Sequence, residues 1–90
     1  MPHDQVTAEV RSLINGYDPE GLLGMGAPED EYESEVGDLA ALVHAGQEIT
    51  AAAVSSVWNR WFNVSPNWTT RHPSQVGEVA AALDRLRAGR

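Results

Sequence analysis

Val6, Val10, Leu13, Ile14 and Tyr17 recur at offsets of 0, 4, 7, 8 and 11, which is one face of an α-helix over Asp4 to Asn15. Asn15-Gly16 is its expected stop, because glycine accepts the left-handed conformation that helix ends require. Asp18-Pro19-Glu20-Gly21 then repeats a helix-start pattern, with Asp as cap, Pro at the first helical position and Glu in the first turn. Gly24 and Gly26 leave room for little more than a turn, so residues 18–26 read as a short helical turn or compact loop that plugs Leu22, Leu23 and Met25 into the core.

Ala27-Pro28-Glu29-Asp30-Glu31 opens the second long helix in this reading, with three carboxylates at the positive end of its dipole. Tyr32, Val36, Leu39, Ala40 and Val43 form its inner face, and Gly46 stops it. Ile49-Thr50 supplies a staple and a cap for the third helix, where Val54, Val57, Trp58 and Trp61 recur at 0, 3, 4 and 7. Trp58 and Trp61 are therefore expected at the centre of the core. Asn63 to His72, with Pro66, Asn67 and paired threonines, reads as a loop. Its Trp68 either anchors that loop or, with Phe62, stands exposed as an interface hot spot. Pro73-Ser74 starts the fourth helix, with Val76, Val79, Ala80, Leu83 and Leu86 inward and Gly89 at its end. No segment alternates with period two. The pattern predicts an all-α chain, residues 1–90 as a single small helical domain: a compact bundle of about four helices with a short helical turn between helices 1 and 2.

Charge adds an asymmetry that hydropathy does not show. Residues 1–50 carry eleven acids against Arg11 alone, a balance of −10, while residues 51–90 carry Glu78 and Asp84 against five arginines, a balance of +3; together these give the net −7. Eight of the thirteen acids lie between Asp18 and Asp38, where there is no Lys or Arg. Such a field disfavours nucleic acid, which needs a basic footprint, and favours a basic protein partner. All six basic residues are arginine, a bias that points to a high-GC coding sequence. With no cysteine, the chain has no disulfide, no thiolate metal site and no thiol nucleophile. The amino terminus lacks a signal peptide's basic and apolar regions, and no apolar run approaches the roughly 20 residues of a membrane span, so no membrane association and a cytoplasmic location are expected.

Few residues are arranged for chemistry. Glu31, Glu35 and Asp38 share a helix face at spacings of four and three, a geometry open to a divalent cation as an alternative to a partner surface. His3, His44 and His72 lack metal-ligand spacing, and no nucleophile, base and orienting acid assemble. The glycine-rich segment Gly21 to Gly26 lacks the Gly-Lys-Ser/Thr ending of a phosphate loop, and its flanking acids repel phosphate. The expected protein is therefore not an enzyme and has no cofactor.

Tyr17, Asp18, Pro19, Gly21, Leu22, Leu23, Gly26, Ala27, Pro28, Asp30, Glu31 and Tyr32 together resemble a motif of the short bacterial helical proteins known as domain of unknown function 1871. That motif runs aromatic-Asp-Pro-x-Gly-Leu-Leu, then Gly-Ala-Pro-x-Asp-Glu-Tyr and a helix. The family more often has Trp where Tyr17 stands, and the likeness is strongest over about residues 13–43. The resemblance implies an all-α fold and transfers no catalytic residue. Size and acidity point to a non-enzymatic interaction module, immunity- or antitoxin-like, whose partner-binding residues are Asp18, Glu20, Asp30, Glu31, Tyr32 and Glu35. A homodimeric subunit is the other reading, so the expected state is monomer or homodimer.

Overall fold

A computed structural model describes residues 2–63 and 66–89, and its regular elements are all helical. In chain order they are α1 (Pro2–Tyr17), a 3-10 turn (Leu23–Met25), α2 (Glu33–Ala45), α3 (Ala51–Trp61), the one-turn α4 (Trp68–Arg71) and α5 (Pro73–Ala88). The four long helices are those expected from the apolar spacing. They pack around one core in which α2 contacts α1, α3 and α5. Val6, Val10 and Ile14 from α1 meet Val36, Leu39 and Val43 from α2, Val54 and Trp58 from α3, and Val76, Val79 and Leu83 from α5, all buried.

Three boundaries differ from expectation. First, α1 runs through Asn15-Gly16 and ends after Tyr17, where Asp18 takes the left-handed conformation (φ 47°) and its N–H still bonds to the Ile14 carbonyl. Asp is among the few residues other than glycine that tolerate this region, and Pro19 has no N–H with which to continue the ladder. Second, α2 begins at Glu33, not at Pro28. Residues 29–32 form turns closed by Glu31 N–H to Pro28 O and Glu33 N–H to Asp30 O, so Glu29, Asp30 and Glu31 precede the helix instead of occupying its first turn. Third, the expected loop before α5 contains α4, capped by Asn67, whose side chain accepts the Thr69 N–H. Asn67 is itself buried and donates to Asn59 Oδ1 and the Phe62 carbonyl, tying α4 to the end of α3. Val64 and Ser65 of that expected loop, and the His3 side chain, lie outside the described residues.

Other local readings match the structure. Thr50 caps α3 by accepting the Ala53 N–H, Gly46 ends α2 at φ 80°, and Pro73 sits at the start of α5. His72 precedes α5 without a side-chain capping bond.

The aromatic core is assigned differently from the sequence reading. Trp58 is fully buried as expected, but its companion is Trp68, which is 0% exposed, whereas Trp61 is 46% exposed. Trp68 meets Trp58 edge-on at 4.8 Å between ring centroids, and Phe62 stacks on the same indole at 5.3 Å. Tyr32 closes the cluster at 5.7 Å from Trp58. The Trp68 version of an exposed hot spot is thereby corrected, since a ring with no accessible surface touches no partner.

Candidate functional site

The acidic segment 18–38 divides into an inward half and an outward half. The Asp18 carboxylate is turned onto its own loop: Oδ1 accepts the Leu23 N–H (3.0 Å) and the Tyr32 hydroxyl (2.7 Å), and Oδ2 accepts the Gly24 N–H (2.9 Å). The Tyr32 oxygen accepts the Glu20 N–H at 3.0 Å. Loop donors thus converge on the three oxygens of two side chains, Asp18 and Tyr32, and residues 18–32 are closed into one unit before the rest of the chain contributes. Burial alone raises the Asp18 carboxyl, but the bonds from Tyr32, Leu23, Gly24 and Leu22 outweigh it and hold Asp18 below the usual carboxylate range. Burial, followed by donation to Asp18, raises the Tyr32 phenol to about 12.

Glu20 carries the loop's connection to α3 and α4. Its Oε2 accepts the Trp58 indole N–H (2.7 Å) and the Trp68 backbone N–H (2.9 Å), and Oε1 pairs with Arg71 Nη2 at 2.8 Å. Here too burial pushes the carboxyl up, and the donors with the Arg71 charge bring it net below its ordinary value. Arg71 Nη2 also donates to the Pro19 carbonyl at 3.3 Å. On the other side, Arg11 of α1 grips Glu33 with two parallel bonds of 2.7 and 2.8 Å, clamping the first turn of α2 to α1.

Of the six expected partner-binding residues, only Asp30 and Glu31 are exposed. Asp18 and Glu20 are spent on the internal network, and Tyr32 is 0% exposed instead of standing at the edge of a surface. The fourth inward residue, Glu35, is 3% exposed because its position on α2 faces the bundle. Its Oε1 has no hydrogen-bond partner among the described residues. Burial raises its carboxyl, its own backbone N–H partly offsets this, and the charges of Asp38, Glu31 and Glu20 add to the rise. An ionised carboxylate there is a cost to the fold. Because the folded value lies above the unfolded one, Glu35's favourable contribution is complete below the ordinary value of 4.5 and is lost as pH rises through the folded value. Glu35→Gln is therefore expected to stabilise the protein by about 1 kcal/mol at neutral pH and by less at pH about 4, read from urea denaturation at both. An equal effect at the two pH values would contradict this account.

The outward half is simple. Glu29, Asp30 and Glu31 project from the turn before α2, and none of their side chains takes part in a hydrogen bond or ion pair with another described residue. Four residues before Glu29, Met25 is 80% exposed. The expectation that Met25 plugs into the core is corrected: the 3-10 turn sends Leu22 and Leu23 against the core and Met25 away from it. Gly26 follows at φ 97°, a conformation that lets the chain reverse here.

Sequence reasoning missed the Arg11–Glu33 clamp, whose partners are 22 positions apart with no local signature, and the exposure of Met25. Among the described residues, no group of three or more His, Asp or Glu side chains is placed to hold a metal ion, and no helix is long and apolar enough to cross a membrane. No family model, curated protein or solved structure matches the chain.

Proposed function

We propose that this protein is a non-enzymatic interaction module that presents Met25 and the carboxylates of Glu29, Asp30 and Glu31 to a basic protein partner. The supporting observation is the contrast within one loop. Residues 18–32 are held from inside by Asp18, Glu20 and Tyr32, yet their outer surface carries three carboxylates without a described partner and a methionine at 80% exposure. A pre-ordered loop loses little conformational freedom on binding, a flexible thioether adapts to an uneven apolar surface, and a net charge of −7 steers a cationic protein towards it. An immunity- or antitoxin-like role, with the acidic edge covering a basic active site, is the most concrete form of this reading.

The test is capture from bacterial lysate on the immobilised protein, followed by elution with salt. A basic protein is expected to be retained and released as ionic strength rises. Asp30→Lys with Glu31→Lys is expected to weaken its binding by about tenfold or more, with the fold intact because both residues are exposed. Undiminished capture by the double variant would remove this reading.

A further inference from the structure

A second surface differs in chemistry from the acidic edge. Between α2 and α3 runs an open groove of about 440 Å³ lined by Asp38, Leu42, Ser56, Val57 and Arg60. Trp61 stands beside it, its indole N–H donating to Asp38 Oδ2 at 2.9 Å and its ring under the Arg60 guanidinium at 5.6 Å. The indole is thus held in place, although nearly half of its surface is exposed.

We infer that this α2–α3 face docks a second copy of the same chain. Charge favours that occupant. The face carries one acid on α2 and one base on α3, Asp38 and Arg60, separated by 3.8 Å in a loose pair whose arginine is largely exposed. A two-fold axis across the groove sets α2 of one copy along α3 of the other, so that each Arg60 meets the other copy's Asp38. Such a surface is self-complementary. Small, uncharged residues are among the exposed positions of these two helices: Ser34, Gly37, Ala41 and Ala45 on α2, Ala51, Ala52 and Ser56 on α3. They let helices approach closely and add no carboxylate beside Asp38, in a chain whose net charge of −7 otherwise repels its own copy. A basic partner would gain little from a charge-balanced face. Trp61 supplies the anchor, an aromatic ring beside an apolar floor of Leu42 and Val57. The association is expected to be reversible, because the apolar core is already closed within one copy.

Salt distinguishes this contact from the acidic edge. Raising ionic strength screens the repulsion between two acidic copies and is expected to tighten the dimer several-fold, whereas attraction of a basic protein to Glu29, Asp30 and Glu31 weakens under the same change. Sedimentation equilibrium of the full chain, from about 10 μM to about 1 mM at low and high salt, should show monomer passing to dimer. Ala41→Glu, a substitution at an exposed helix position, and Trp61→Ala are each expected to weaken the dimer by about tenfold, with thermal melting of the dilute protein shifted by only a few degrees. Arg60→Glu should weaken it and make it more sensitive to salt. A monomer throughout at about 1 mM in both salts, a dimer indifferent to Ala41→Glu and Trp61→Ala, or one that loosens as salt rises would each overturn the inference. None of these outcomes bears on capture of a basic protein by Asp30 and Glu31.

Discussion

Trp68→Ala is expected to lower folding stability by about 4 kcal/mol, the scale for deleting a fully buried tryptophan. Its ring has no accessible surface, packs edge-on against Trp58 at 4.8 Å and donates its indole N–H to Gln75 of α5 at 2.9 Å. One side chain therefore joins α3, α4 and α5, and its loss opens a cavity beside Trp58 and strands the Gln75 amide. For a domain of this length the melting temperature is expected to fall by roughly 20 °C. Trp68→Phe separates the two contributions: it keeps most of the ring packing and loses the bond to Gln75, so a cost of about 1.5 kcal/mol is expected. Urea denaturation of both variants measures the difference. A Trp68→Ala variant within about 1 kcal/mol of the parent would mean that the ring is peripheral to the fold.

The history of the tryptophans along the chain explains what was legible in the sequence. The helices α1, α2, α3 and α5 were legible because each repeats apolar residues with a helical period, and the inward sets Val6, Val10, Ile14 and Val36, Leu39, Val43 are buried as that period requires. Trp61 belongs to the same kind of stripe, at offset 7 from Val54. A stripe has edges, however, and at the last turn of α3 the ring falls on the side that faces α2's rim and finds Asp38, so a correct period still misjudged burial. Trp68 lies in a run of polar, turn-forming residues with no periodicity. It is placed by tertiary contacts, its ring against Trp58 and its backbone N–H on a carboxylate 48 positions earlier.

The same limit governed the acidic segment. Composition identified 18–38 as unusual, but the helix start read from Asp18 and Pro19 is not formed: Asp18 ends α1 in the left-handed conformation, and the 3-10 turn begins only at Leu23. Whether each carboxylate faced inward was a tertiary matter. Asp18 and Glu20 turn in because Tyr32 and Trp58 bring donors that need acceptors, and Glu35 turns in because the face of α2 dictates it despite an unpartnered oxygen. Asp30 and Glu31 stay outside because their turn precedes the helix. The residues that bind themselves and the residues left to bind something else are interleaved in sequence and separate only in three dimensions.

Glu20→Ala is accordingly expected to be nearly as damaging as loss of Trp68, by about 3 kcal/mol at neutral pH, although it removes no large apolar surface. The substitution takes away the acceptor of the Trp58 indole N–H inside the core, of the Trp68 N–H at the start of α4 and of Arg71. The stranded indole donor has no water to turn to, since Trp58 is fully buried. Glu20→Gln keeps one acceptor oxygen and is expected to cost about half as much. Acidity provides the sharper check. Glu20 and Asp18 are both held below their ordinary values of 4.5 and 3.8, so their stabilisation is fully present above those values and is lost as pH falls through them towards the folded-state values. Glu35 runs the other way, and only it gains on acidification. The parent should therefore lose stability between neutral pH and pH about 3.5, and the Glu20→Ala variant, lacking one of the depressed carboxylates, a set that also includes Asp18, Glu33 and Asp84, should lose measurably less over the same interval. Urea denaturation at each pH reads the slopes directly. Parallel pH profiles for parent and variant would mean that Glu20 does not hold the loop to α3 and α4 through its charge, whereas converging profiles identify it as the ionised link between the acidic loop and the aromatic core.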